Sequence, residues 1–95
     1  MIASMFLVNR HPTVVLFDSR SSHSFMSQAF AQKHNQKISK LDYGFRISSA
    51  RADISTGQMV MGATLDIGDR RFRLNLIVLP GLVLDVVIGM SWMKF

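Results

Sequence analysis

Two runs of alternating residues, joined by a turn, constrain this chain more than any other feature. Met59, Met61, Ala63, Leu65 and Ile67 are apolar at every second position, and so are Phe72, Leu74, Leu76 and Val78. A period of two is the repeat of a strand with one buried face. Gly68-Asp69-Arg70-Arg71 lies between the runs, with the glycine and aspartate that tight hairpins use. An apolar-faced hairpin has to lay that face on more sheet. Pro12, Gly44, Gly57, Gly62, Gly68, Pro80, Gly81 and Gly89 cut the rest into short segments, which favours a small β domain over a helical bundle.

The other segments fit that frame. Met5–Val8 and Thr13–Phe17 read as a hairpin, with Asn9-Arg10-His11-Pro12 as its connection because proline cannot donate to a ladder. Val14-Val15-Leu16-Phe17 does not alternate, so it is expected to be buried on both faces in the middle of the sheet. Ser24–Asn35 has apolar residues at helical spacing, and Ser22 or Ser24 is its expected N-cap. Phe45 and Ile47 alternate with polar neighbours, and Ser48–Asp53 has the residues of a hairpin tip. Pro80–Leu84 reads as a loop, Asp85–Ile88 as a short buried strand and Met90–Phe95 as a last turn of helix.

Ninety-five residues make one domain, 1–95, and a monomer of that size buries only somewhat over about 60% of its unfolded surface. With 48% hydrophobic residues, part of the apolar surface is expected to lie under a partner. The chain has no cysteine, so disulfides and thiolate metal sites are excluded, as a reducing intracellular (cytoplasmic or nuclear) setting would suit. Its apolar runs are too short to cross a bilayer as helices, and Met1–Val8 lacks the features of a signal peptide. The net charge of +5 invites comparison with nucleic-acid binders. However, the basic residues are scattered and lack interleaved aromatics, which argues for a solvated basic face. His11, His23 and His34 have no metal-ligand spacing and read as surface or capping residues. Ser22-His23 is not expected to act as a pair, because neighbours on an extended chain point to opposite sides. The seven methionines read mainly as adaptable core, Met59 and Met61 on the apolar face of a strand and Trp92 as a packing anchor. Arg70, Arg71 and Arg73 are expected on a solvent-facing hairpin. No cofactor is implied.

The most unusual residue is Asp18, a carboxylate that emerges directly from a buried strand. Its surroundings, Leu16-Phe17-Asp18-Ser19-Arg20-Ser21-Ser22-His23-Ser24-Phe25, resemble the catalytic segment of retropepsin-like aspartic proteases of plant gypsy-type retrotransposons. There a buried strand ends in Asp-Ser-Gly or Asp-Thr-Gly. Asp85-Val86-Val87-Ile88-Gly89-Met90-Ser91-Trp92 is similar to the second signature of the same family, about seventy residues further on. The resemblance covers nearly the whole chain.

The resemblance implies an all-β fold, a small closed barrel or sandwich of the retropepsin type with one or two short helices. It also implies a homodimer in which Asp18 meets its own copy across a two-fold axis. Two carboxylates about 3 Å apart share one proton. One then acts as general base toward a water that attacks the peptide carbonyl, the other as general acid. Ser19 would brace the two catalytic loops, and Val87, Ile88 and Gly89 would pack beneath them. By position, the flap over the substrate is around Ser49–Thr56, with Ser49, Ala50, Arg51, Ala52, Asp53 and Ile54 as its candidate substrate-binding residues.

Arg20 departs from the pattern, standing where the family has glycine. Three objections to activity follow: a backbone conformation that only glycine adopts easily, bulk beside the carboxylates, and a fixed positive charge near the dyad. The chain also stops at Phe95, without the terminal strand that many retropepsins interleave with a partner. The expected function is therefore a retroelement-derived endopeptidase of extended peptides, impaired by Arg20. The rivals are a catalytically inactive interaction module on the same fold and a basic nucleic-acid-binding β domain.

Overall fold

The computed structural model describes residues 2–48 and 53–89. Seven strands and one helix lie among them: β1 (Ile2–Val8), β2 (His11–Asp18), β3 (Phe25–Ser27), α1 (Gln28–Lys33), β4 (Ser39–Ser48), β5 (Asp53–Ile67), β6 (Arg70–Leu79) and β7 (Val86–Gly89). The strands are ordered β1-β2-β7-β3-β6-β5-β4, and β1 also pairs with β5. That extra pairing closes six strands into a barrel and leaves β4 flanking β5 on the outside. The expected all-β class and closed barrel are what the chain adopts. Among the described residues no helix is long and apolar enough to cross a membrane.

The hairpin expected from alternation is β5–β6, but its turn is tighter than the sequence suggested. Ile67 pairs with Arg70, so Gly68 and Asp69 alone make the turn, and Gly68 takes a positive φ of 60°. Arg70, Arg71 and Arg73 are all exposed, Arg71 and Arg73 on one face of β6 and Arg70 on the other, over the Phe72 ring. The alternation of β5 is broken by a register shift between Val60 and Ala63. Gly62 sits there at φ 62° and donates its N–H to Asn75 Oδ1 at 2.9 Å. The extra residue rotates the strand, so Val60 points into the core while Met61 is 52% exposed. The expectation that Met61 lies on the apolar face is corrected by that bulge.

The first hairpin differs in the same way. Val8 pairs with His11, so Asn9 and Arg10, both at positive φ (47° and 67°), form the whole connection. Both central residues at positive φ is the type I′ geometry that matches strand twist. Pro12 therefore lies within β2, opposite Leu7, rather than in the connection. β2 sits between β1 and β7 as expected, but it is not buried on both faces: Val15 is 0% exposed and Val14 is 38%.

The expected helix from Ser24 is shorter and starts later. Residues 25–27 form β3, and α1 begins at Gln28 with Ser27 as N-cap, accepting from Phe30 N–H at 2.9 Å. Neither Ser22 nor Ser24 caps it. Three-strand pairing outcompetes the helical pattern because β3 bridges β6 and β7, satisfying both of its edges. His34 is the C-cap and packs against His11 and Phe30, with ring centroids at 4.3 and 4.5 Å. The short buried strand near the end is β7, one residue later than expected. The expected turn at Met90–Phe95, including Trp92, lies outside the described residues.

Two apolar clusters occupy the two faces of the sheet. The larger fills the barrel and includes Val15, Met26, Val60, Leu76, Val78 and Val86. The smaller is built on Phe25, Ile77, Leu79 and Val87, with Leu16, Met59, Leu82 and Leu84 packed against it.

Candidate active site

Asp18 is the last residue of β2 and pairs in parallel register with Gly89, the last residue of β7. The chain turns immediately after it. Ser21 N–H donates to the Asp18 carbonyl at 3.2 Å, and Arg20 N–H donates to Asp18 Oδ1 at 2.9 Å. One carboxylate oxygen is thus held by the backbone two residues on. Ser19 and the Arg20 side chain are exposed, while Asp18 is partly buried.

The loop after Asp18 is fastened to β7 from behind. Gly89 N–H donates to Ser24 Oγ at 3.0 Å, and Ser24 is buried. Ser21 Oγ donates to the His23 carbonyl at 2.7 Å. A Cβ on Gly89 would lie 2.6 Å from the Ser21 carbonyl oxygen and nearer still to that of His23, so only glycine fits there. Gly89 thus lies against the backbone of the loop that leaves Asp18. Val87 and Ile88 are buried and pair with Leu16 and Phe17.

One of the three objections to Arg20 falls. The non-glycine residues at positive φ, among those described, are Asn9, Arg10 and Asn35, so Arg20 needs no backbone conformation reserved for glycine. Bulk and charge remain as arguments. The reading of Ser22 and His23 also changes. Ser22 Oγ lies 3.0 Å from His23 Nδ1, because the chain bends between Arg20 and Ser24 instead of running extended.

Sequence reasoning missed the surface that Asp18 belongs to. Side chains two apart on a strand share a face, so Leu16 and Asp18 point the same way, as do their partners Val87 and Gly89. The pairings carry that face across the sheet: Leu16 to Val87, Val87 to Phe25, Phe25 to Ile77, Ile77 to Met59. This row crosses five strands and forms the smaller apolar cluster, outside the barrel. Counting back two from Asp18 and from Gly89 would have found its first members. Asp18 stands at the end of an apolar floor.

Ser49, Ala50, Arg51 and Ala52 of the expected flap lie outside the described residues, and of Asp53 and Ile54 only the backbone lies within them. Around them β4 and β5 make a hairpin whose last pairs are Ile47 with Ile54 and Ser48 with Asp53. Among the described residues no cluster of three or more metal-ligating side chains occurs.

The model of the retroviral aspartyl protease family matches residues 1–95. The chain belongs to that family. The match to retroviral aspartyl proteases spans the segments around both Asp18 and Gly89. Solved structures agree on the fold. The EIAV protease complexed with the inhibitor HBY-793 superposes with a TM-score of 0.75 at 18% identity, covering 95% of this chain and 82% of the other. The retroviral protease-like domain of Ddi1 from Leishmania major gives 0.77 at 16% identity, covering 99% and 75%. No curated protein matches the sequence.

Proposed function

We propose that this chain is one subunit of a homodimeric aspartic endopeptidase acting on extended peptides, a single domain over residues 1–95 whose activity Arg20 impairs. The position of Asp18 carries the reading: it ends the strand beside Gly89, on the same face as the apolar row. A substrate backbone laid over that floor would bury apolar side chains on either side of the carboxylate. Two-fold symmetry supplies the second Asp18, and the pair holds one proton between them. The unprotonated carboxylate takes a proton from the attacking water, and its partner protonates the leaving amine. Ser19, exposed beside Asp18, braces one loop against the other across the axis, and the β4–β5 hairpin closes over the peptide.

Symmetry also duplicates Arg20. Two exposed arginine side chains then crowd the loops that must meet at the axis, and their like charges repel each other there. The triplet Asp18-Ser19-Arg20 is read as a retroelement Asp-Ser-Gly with its glycine replaced, of plant gypsy-type descent, working inside the cell. The same exposed arginine favours a second reading, a non-catalytic module that keeps the dimer and the peptide-binding face.

Cleavage of a peptide library by wild type, Arg20→Gly and Arg20→Gly/Asp18→Asn decides between the two. The expected result is weak or absent cleavage by wild type. Arg20→Gly should raise it by about a hundredfold or more, and the added Asp18→Asn should abolish it. If Arg20→Gly dimerises and stays inactive, the endopeptidase reading gives way to the module.

A further inference from the structure

His11 and His34 have no ligand spacing in the sequence, yet the fold sets their rings side by side. Their centroids lie 4.3 Å apart, with the planes tilted by 34°. His11 opens β2, His34 is the C-cap of α1, and both are half-buried. Neighbouring bonds hold the two segments together. The Asn9 side-chain amide donates to Gln36 Oε1, and Gln36 Nε2 donates to the His34 carbonyl at 3.1 Å. Thr13 Oγ1 donates to the His11 carbonyl at 2.6 Å. The Phe30 ring packs against His34, with centroids at 4.5 Å.

None of these bonds uses an imidazole nitrogen. Among the described residues no hydrogen bond or ion pair reaches either ring. Polar atoms withdrawn from water normally find a partner, so two adjacent imidazoles without one have capacity left for a ligand. The neutral ring offers a lone pair, which suits a metal ion. A nitrogen bound at about 2.0–2.1 Å places its ring centroid about 3.2 Å from the ion. Two such rings then have centroids about 4.5 Å apart at a right angle and about 5.2 Å apart at the tetrahedral angle. The observed 4.3 Å fits the right angle of tetragonal nickel(II) or copper(II) better than tetrahedral zinc(II).

We propose that His11 and His34 form a two-histidine site for a divalent transition-metal ion of right-angle geometry, nickel(II) or copper(II), whose other positions water fills. The ion ties the start of β2 to the end of α1. Asp18 lies at the far end of β2, so the site stands apart from the proposed catalytic centre. The charged neighbours of His34 are Lys33 and Asp85, which line one pocket with it and offset each other.

The test titrates nickel(II) chloride into the full chain, free of any added tag, at neutral pH with calorimetric readout. Saturable binding of one ion per chain is expected. His11→Ala and His34→Ala should each weaken it by at least about tenfold. Both rings are required, so either variant carries the test if the other does not fold. His23→Ala, which removes the remaining histidine, should leave binding unchanged. Because the ion joins two elements, saturating nickel(II) should also raise the urea midpoint of wild type and not that of His11→Ala. The proposal is overturned if nickel(II) does not saturate the chain, or if both single variants bind it as tightly as wild type. Tighter binding of zinc(II) than of nickel(II) also overturns it, since that marks a tetrahedral site.

Discussion

Gly89 shows how one position can tie the loop after Asp18 to a scaffold. Its φ is not in the left-handed region, so the need for glycine is one of space. The carbonyls of Ser21 and His23 fill the volume a Cβ would take. Both belong to the backbone of the loop that leaves Asp18, and backbone cannot swing aside as a flexible side chain does. Gly89→Ala is therefore expected to cost about 3 kcal/mol, the upper end for overpacking, read as a fall in the urea midpoint. A loss under about 0.5 kcal/mol would mean that the loop is not held against β7. Arg20 is the opposite case, a large side chain at a position whose backbone accepts any residue. Under the proposed homodimer, its effect has to be sought in the charge and bulk it brings to the axis.

At the scale of elements, what the sequence revealed depended on whether the governing interaction was local. The β5–β6 hairpin, the loop at Pro80–Leu84 and the emergence of Asp18 from a strand followed from period and turn residues alone. β3 did not, because three residues become a strand only where β6 and β7 flank them, and nothing in Phe25-Met26-Ser27 records that. The bulge at Gly62 was equally hidden, since its partner, Asn75, lies on the facing strand. The apolar floor beside Asp18 was half legible: Leu16 and Val87 follow from counting, whereas Phe25, Ile77 and Met59 require the strand order.

The β1–β2 hairpin gives this distinction a measurable form. Asn9 has a local role, its positive φ in the turn, and a long-range one. Its Oδ1 accepts from Thr64 N–H at 2.8 Å, and its side-chain amide donates to Gln36. Asn9→Gly keeps the turn and loses the bonds, so about 1 kcal/mol is expected. Asn9→Ala loses both and should cost about 2 to 3 kcal/mol. Equal losses in the two variants, by urea titration, would show that the turn conformation contributes nothing and the tie to β5 everything.

For the whole molecule, the decisive quantity is how many copies make a working unit. One chain places one carboxylate at the end of an apolar floor, and a general acid and a general base cannot both be the same group at the same moment. If two copies complete the site, folding and association are linked. The folded dimer is then favoured by about 1.4 kcal/mol for each tenfold rise in protein concentration. The urea midpoint should accordingly move upward by about half a molar per tenfold dilution reversed. Arg20→Gly, which removes two like charges from the axis, should strengthen that dependence at low concentration, where the dimer is weakest. A midpoint that ignores concentration, together with a monomer's mass by sedimentation, would leave Asp18 without its partner. The fold would stand, but the chemistry assigned to it would have no second carboxylate to run on.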